Sequence, residues 1–175
     1  MKRNIAAAVL FQGVWFSAVL GGAAGLAWPG VASAAAFLLL GWFWPRYLPS
    51  MPAGAFLLWP LLGFALDALP VTLGWIRYSG SEGLPSWMAP LWIAALWWSF
   101  VPLFPGALAW MRGRMPVAIG FGAIGAPLSY LGGERLGALE MTERLPALLW
   151  IALVWGVLTP LLTHRLAPEP PPARA

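Results

Sequence analysis

Cysteine is absent from the 175 residues, and histidine occurs once, as His164. Without cysteine the chain can form no disulfide, thiolate metal site or thiol nucleophile. A single histidine cannot build a multi-histidine metal site. Charge is scarce as well, at 9% of residues, whereas soluble domains carry about 25%. A chain so poor in charge cannot cover its surface with polar groups, so its solvent is lipid, and we expect no cofactor.

Apolar residues fill the space that charge leaves. They make up 61% of the chain, and the mean hydropathy is +0.77. A bilayer span takes about 20 mostly apolar residues, so the length leaves room for about six spans. Their backbone must be satisfied internally, which favours helices. The sequence therefore predicts an all-α, polytopic membrane bundle of about six transmembrane helices. Residues 1–166 form one domain, and 167–175 a proline-rich disordered cytoplasmic tail.

The boundaries of the predicted spans follow prolines, interfacial aromatics and basic residues. The spans run from Ile5 to Leu20, Trp28 to Trp44, Ala53 to Leu69, Trp87 to Met111, Pro116 to Leu139 and Leu145 to Thr163. A cleaved signal peptide is the alternative for the first of them. Residues 71–86 are the most polar connector, and we expect them to be exposed. No repeat of 20 to 50 residues is visible along the chain.

The basic residues indicate an orientation. With the N-terminus in the cytoplasm, six spans leave seven basic residues inside and three outside, which satisfies the positive-inside rule. The inner set is Lys2, Arg3, Arg46, Arg112, Arg114, Arg165 and Arg174, and the outer set is Arg77, Arg135 and Arg144. Both termini are then cytoplasmic. Because the basic residues lie at span ends, the net charge of +4 does not point to nucleic acid.

Three ionisable residues lie near the outer ends of predicted spans: Asp67 in the third, and the adjacent Glu134 and Arg135 in the fifth. Ionisable groups within a membrane are costly and mark functional sites by default. Neighbouring residues on a helix point about 100° apart, so Glu134 and Arg135 are poor partners for each other. We predict that Asp67 pairs with Arg135. A structural clamp, a substrate or proton site, and simple solvation are the alternatives.

The fifth span carries small residues at four-residue spacing, which favours close helix packing in lipid. Pro127 removes a backbone hydrogen bond there, and Ser129 and Tyr130 follow it. Thirteen tryptophans either fill space between kinked helices or line a pocket for an apolar ligand. Trp59 and Trp97, with Tyr130, are the aromatic candidates for such a pocket.

No enzyme signature is present: there is no paired carboxylate, Gly-rich phosphate loop or serine elbow. A non-catalytic role is favoured, and an intramembrane enzyme using Glu134 as acid or base is the alternative.

Three stretches resemble one bacterial family: LFQGVWFSAVLGG, PLWIAALWWSF and GAPLSYLGGERLGA. It is the inner-membrane family called domain of unknown function two-eight-seven-eight. The resemblance implies a multi-pass protein of the bacterial cytoplasmic membrane without an established activity, and it favours lipid chemistry.

The first functional hypothesis is binding or transport of a lipid, amphiphile or small metabolite between the third, fourth and fifth spans near the periplasmic side. The second is an accessory or scaffold subunit for a membrane lipid-modifying enzyme. The partners implied are membrane lipid, a small amphiphilic ligand and a membrane protein.

Overall fold

A computed structural model describes residues 2–45 and 48–168. Six helices and two short strands follow in chain order: α1 (Lys2–Ala23), α2 (Trp28–Phe43), α3 (Ala53–Thr72), β1 (Ile76–Tyr78), α4 (Leu91–Phe100), α5 (Met115–Arg135), β2 (Leu139–Met141) and α6 (Arg144–Leu166). The all-α prediction is confirmed. Most of the predicted tail, and the predicted interfacial residues Arg46 and Tyr47, lie outside the described residues.

Four of the helices, α1, α3, α5 and α6, are long and apolar enough to cross a membrane. Their outer faces suit lipid, because α6 exposes Leu145, Leu149, Leu153 and Val157 at four-residue spacing. The helices α2 and α4 are shorter, so the number of spans stays a prediction. The predicted fourth span is broken: α4 stops at Phe100, and a 3₁₀ turn that contains Pro102 follows. Proline lacks the backbone donor that would continue the helix.

The helices pack in two groups. Along most of its length α5 packs on α6, whereas α1, α2 and α4 pack on one another and α3 packs on α4. Gly122 makes the first group possible, because a Cβ there would lie 2.0 Å from the backbone oxygen of Trp155. Of the small residues in the fifth span, Ala118 and Gly122 are thus packing residues, as close helix approach in lipid requires.

A two-stranded antiparallel sheet closes one end of the bundle, which we call the rim. It pairs Ile76 with Met141, Arg77 with Glu140 and Tyr78 with Leu139. The connector after α3, predicted to be exposed, instead buries Ile76 and Tyr78. The predicted fifth span is also too long, since α5 ends at Arg135 and the chain continues into β2.

Candidate functional site

A buried carboxylate lies where three helices meet. Asp67 is only 5% exposed, and it lies five residues before the end of α3, about 7.5 Å from the rim at 1.5 Å per residue. Its two oxygens accept hydrogen bonds from Trp97 Nε1 of α4 at 2.7 Å and from Tyr130 Oη of α5 at 2.6 Å. Among the described residues, no basic side chain forms an ion pair with Asp67. The carboxylate is therefore held by neutral donors alone.

The indole of Trp97 is held on both faces of the α4 helix position that it occupies. On one side a Cβ at Gly63 would lie 2.3 Å from the indole ring, so the glycine gives α3 and α4 room to approach. On the other side the ring stacks on Trp155 of α6, with centroids 4.5 Å apart and planes 12° from parallel. Packing on both sides fixes the direction of Trp97 Nε1 toward Asp67.

A cavity of about 430 Å³ lies between α1, α4 and α5, with Asp67 in its wall. Aromatic side chains from these helices and from α6 supply most of the rest of the wall, among them Phe11, Trp15, Trp92, Trp97 and Trp155. Aromatic faces offer apolar contact and also attract cations. The arrangement suits a ligand with an apolar body and a small group that can donate a hydrogen bond or carry positive charge.

The cavity opens sideways, between α1 and α5. Four of its lining residues, Gln12, Phe121, Gly125 and Leu128, are exposed on the outer surface of the bundle, near the middle of their helices. Gly125 keeps the opening wide, since a Cβ there would meet no atom within 4 Å. In a bilayer this opening faces hydrocarbon rather than water.

The second charged cluster lies at the rim and is separate from Asp67. Glu134 accepts hydrogen bonds from the backbone N–H of Met141, at 3.1 Å, and from the guanidinium of Arg144. It thereby ties the end of α5 to β2 and to the start of α6. Arg135 is exposed, and it forms no hydrogen bond or ion pair within the described part of the chain.

The predicted pairing of Asp67 with Arg135 is therefore wrong. At 100° per residue, Arg135 lies about 140° around α5 from Tyr130, the residue that faces Asp67. Glu134 lies about 40° from Tyr130, but it is a full turn nearer the rim. The two charged residues of α5 thus point to different surroundings, and neither reaches the carboxylate of α3.

Of the six predicted site residues, the structure brings Asp67, Tyr130 and Trp97 together. Glu134 and Arg135 lie at the rim. Trp59 lies eight residues before Asp67 on α3 and does not line the cavity.

Sequence reasoning missed the contribution of α1 and of Trp155. The signal for α1 was a polar Gln12 within an apolar run, three residues before Trp15.

Two buried polar atoms near the site have no hydrogen-bond partner in the described structure: Tyr78 Oη and Trp155 Nε1. Tyr78 belongs to β1 and packs edge-on against Trp92, with ring centroids 5.5 Å apart. Burial, with a further contribution from the negative charge of Asp67, raises the pKa of Tyr78 well above its usual range. The phenol therefore stays neutral at physiological pH.

The described residues contain no group of three histidine, aspartate or glutamate side chains that could hold a metal ion. The chemistry available at Asp67 is thus hydrogen bonding and charge attraction by one carboxylate in an apolar surrounding.

Comparisons with known proteins give one match. No curated protein and no solved structure matches the chain. A family model matches residues 4–161, nearly the whole chain. This match confirms the resemblance that the three sequence stretches indicate, and the chain belongs to the family described as protein of unknown function DUF2878.

Proposed function

We propose that the protein binds an amphiphile inside the membrane, with the apolar part between the aromatic walls of the cavity and the polar head at Asp67. One observation carries the proposal: an open cavity of about 430 Å³ ends at a buried carboxylate that has no cationic partner among the described residues. A volume of this size falls in the range of small-molecule sites. Buried charges are normally paired, and a ligand would supply the missing partner.

The lateral opening supports an amphiphile rather than a water-soluble metabolite. Gly125 and Phe121 lie at the exposed mouth of the cavity, at a level that a bilayer covers with hydrocarbon. A ligand that already partitions into the bilayer reaches this mouth without crossing water. The apolar lining offers it no penalty, and Asp67 receives its head group within about 7.5 Å of the rim.

The charge of Asp67 decides the preferred head group. A carboxylate in a site of low dielectric attracts a cation far more strongly than it does in water, and tryptophan faces add to that attraction. Trp92 and Trp97 both line the cavity. We therefore assign a protonated amine or quaternary ammonium as the head group, ahead of a phosphate or carboxylate. By the charge count in the sequence, the rim faces the periplasm of a bacterial inner membrane and both termini face the cytoplasm.

The test uses the protein in phosphatidylcholine nanodiscs and three probes with the same 11-bromoundecyl chain. Their head groups are trimethylammonium, alcohol and carboxylate. Bromine quenches indole fluorescence on contact, so binding in the cavity gives a saturable quench above the linear quench from probe dissolved in the lipid. We expect saturation with the ammonium probe at the lowest concentration. If no probe saturates, the cavity is not a ligand site.

Two glycines of α5 offer a matched pair of variants for this assay. Gly125→Leu places a side chain in the mouth, and we expect it to remove the saturable quench. Gly120→Leu makes the same change five residues earlier, outside the cavity lining and also in open space, and we expect it to leave the quench intact. Equal quenching in both variants would contradict the placement of the site. Asp67→Asn should abolish the preference for ammonium over alcohol.

A further inference from the structure

The sequence contains a repeated stretch in two of the helices. Residues 91–103 read LWIAALWWSFVPL and residues 149–161 read LWIALVWGVLTPL, identical at seven of 13 positions. The shared residues include both tryptophans of the motif and the proline near its end. The first copy lies in α4 and the turn after it, and the second lies in α6.

The elements that precede these stretches also match. Both α3 and α5 end at a Leu-Gly pair, which is followed by one residue and a three-residue strand. Gly74 and Gly137 have φ of 72° and 82°, values that favour glycine. The terminal backbone bonds repeat as well: Trp75 N–H donates to Pro70 at 2.8 Å, and Ala138 N–H donates to Gly133 at 3.0 Å, each five residues back. The two segments are thus built alike, 63 residues apart.

The two segments meet through reciprocal contacts. Ser79 Oγ donates to the carbonyl of Gly137 at 2.9 Å, and Thr142 Oγ1 donates to the carbonyl of Gly74. Since 79 + 63 = 142 and 74 + 63 = 137, this is one bond formed twice, in opposite directions. An antiparallel strand pair carries a local two-fold axis, and both α3 and α5 run toward the same rim. The segments are therefore related as parallel repeats, with the axis along the membrane normal.

The same spacing reaches the candidate site. Asp67 and Tyr130 are 63 residues apart, and they bond to each other at 2.6 Å. Trp97 and Trp155 occupy the same position in the LWIA stretches, and they stack on each other at 4.5 Å. The stretches are 58 residues apart because the first segment has five more residues between its strand and its LWIA motif. Contacts at the centre of the bundle are thus contacts between equivalent residues.

We infer that residues 53–103 and 115–161 are two copies of one helix–strand–helix unit, and that the ligand site is built on the contact between them, with half from each copy. The first copy supplies Asp67 and Trp97, and the second supplies Tyr130 and Trp155. In transporters built from parallel repeats, the substrate site lies at such an interface. The duplication stands by itself, whereas the ligand half of the inference rests on the proposed function.

The two halves differ in one respect that makes the inference testable. Trp97 Nε1 donates to the Asp67 carboxylate at 2.7 Å, whereas Trp155 Nε1 is buried without an acceptor in the described structure. The second copy has a tyrosine where the first has the carboxylate. Position 130 is therefore a second place for the carboxylate, with an indole N–H beside it.

The experiment exchanges the two residues. Asp67→Tyr removes the carboxylate, and Tyr130→Asp places two carboxylates in contact, so each single exchange should lower the thermal midpoint and abolish the saturable quench by the ammonium probe. The double exchange should recover most of the summed loss in midpoint and restore the quench. Additive losses, or a double exchange that is not recovered from membranes while Asp67→Asn is recovered, would overturn the inference. Contacting residues deviate from additivity, whereas independent ones do not.

Two further variants keep the result specific. In the natural protein Trp97→Phe loses a hydrogen bond and Trp155→Phe does not, so Trp97→Phe should lower the midpoint more; in the exchanged protein the order should reverse. An unchanged order would contradict the equivalence of the two halves. As a control, the exchange of Asp67 with Ser129 moves the carboxylate to a position that is not equivalent, and we expect no recovery.

The two proposals fail separately. If the ammonium probe never saturates but the double exchange recovers stability, the proposed function fails and the duplication stands. If the probe saturates but the losses add, the duplicated site fails and the binding function stands.

Discussion

Replacing Gly122 with alanine tests whether α5 and α6 pack as closely as the structure places them. The new Cβ would lie 2.0 Å from the backbone oxygen of Trp155 and 2.5 Å from Thr159 Oγ1. Ordinary van der Waals contact begins near 3.4 Å, so the helices would have to separate by about 1.4 Å, in an interior that is close-packed. A backbone oxygen cannot rotate away as a side chain can. We expect a loss of about 3 kcal/mol in the free energy of unfolding.

The control is the same substitution two residues earlier. Gly120→Ala adds a Cβ that meets no atom within 4 Å, and alanine favours a helix over glycine by up to about 1 kcal/mol. The two variants should therefore shift stability in opposite directions. The measurement is unfolding by sodium dodecyl sulfate titrated into dodecylmaltoside micelles, followed by tryptophan fluorescence. If Gly122→Ala unfolds at the same or a higher midpoint than Gly120→Ala, the packing of α5 on α6 described above is refuted.

The remaining predictions use the same unfolding assay. Trp97→Phe should cost about 2 kcal/mol, because it leaves the buried carboxylate with one donor fewer; no loss would mean that the bond is not formed. Glu134→Ala should cost about 1 kcal/mol, since the partly exposed ion pair adds little beyond the backbone bond, whereas Arg135→Ala should leave the midpoint unchanged. A larger effect of Arg135 than of Glu134 would restore the pairing rejected above. Gly137→Ala should cost about 1 kcal/mol because of its positive φ, and Gly54→Ala, at a helical glycine in open space, should cost nothing.

Much of the architecture could be predicted from the sequence. Proline at the second position of α2 and α5 favours a helix start, and apolar runs of about 20 residues favour spans, so five of the six predicted helices begin and end near the observed limits. The strands could not be predicted. Each has only three residues, and a strand of that length forms because a Leu-Gly pair stops the preceding helix and a partner strand lies beside it.

The site was predictable in its components but not in its pairing. The depth of Asp67 and of Tyr130 within their spans follows from residue count, which placed both near one rim. Which side chain of α5 faces α3 depends on the rotation of the helix, and rotation is set by the packing of Gly122 on α6 rather than by charge. The duplication was hidden for a related reason: the two halves match at offsets of 63 and 58 residues, and a search at one fixed period dilutes both signals.

The rim sheet has a mechanical consequence. Three residue pairs join the two halves there, with Arg77 opposite Glu140 at the centre. At the opposite end of the bundle, the Arg112 guanidinium holds backbone oxygens at the end of α6, including that of Ala167 at 2.6 Å. Rotation of one half against the other would pivot about the strand ladder and strain the Arg112 clasp. Release of that clasp is then the step that would let the far end of the molecule swing open while the rim stays joined.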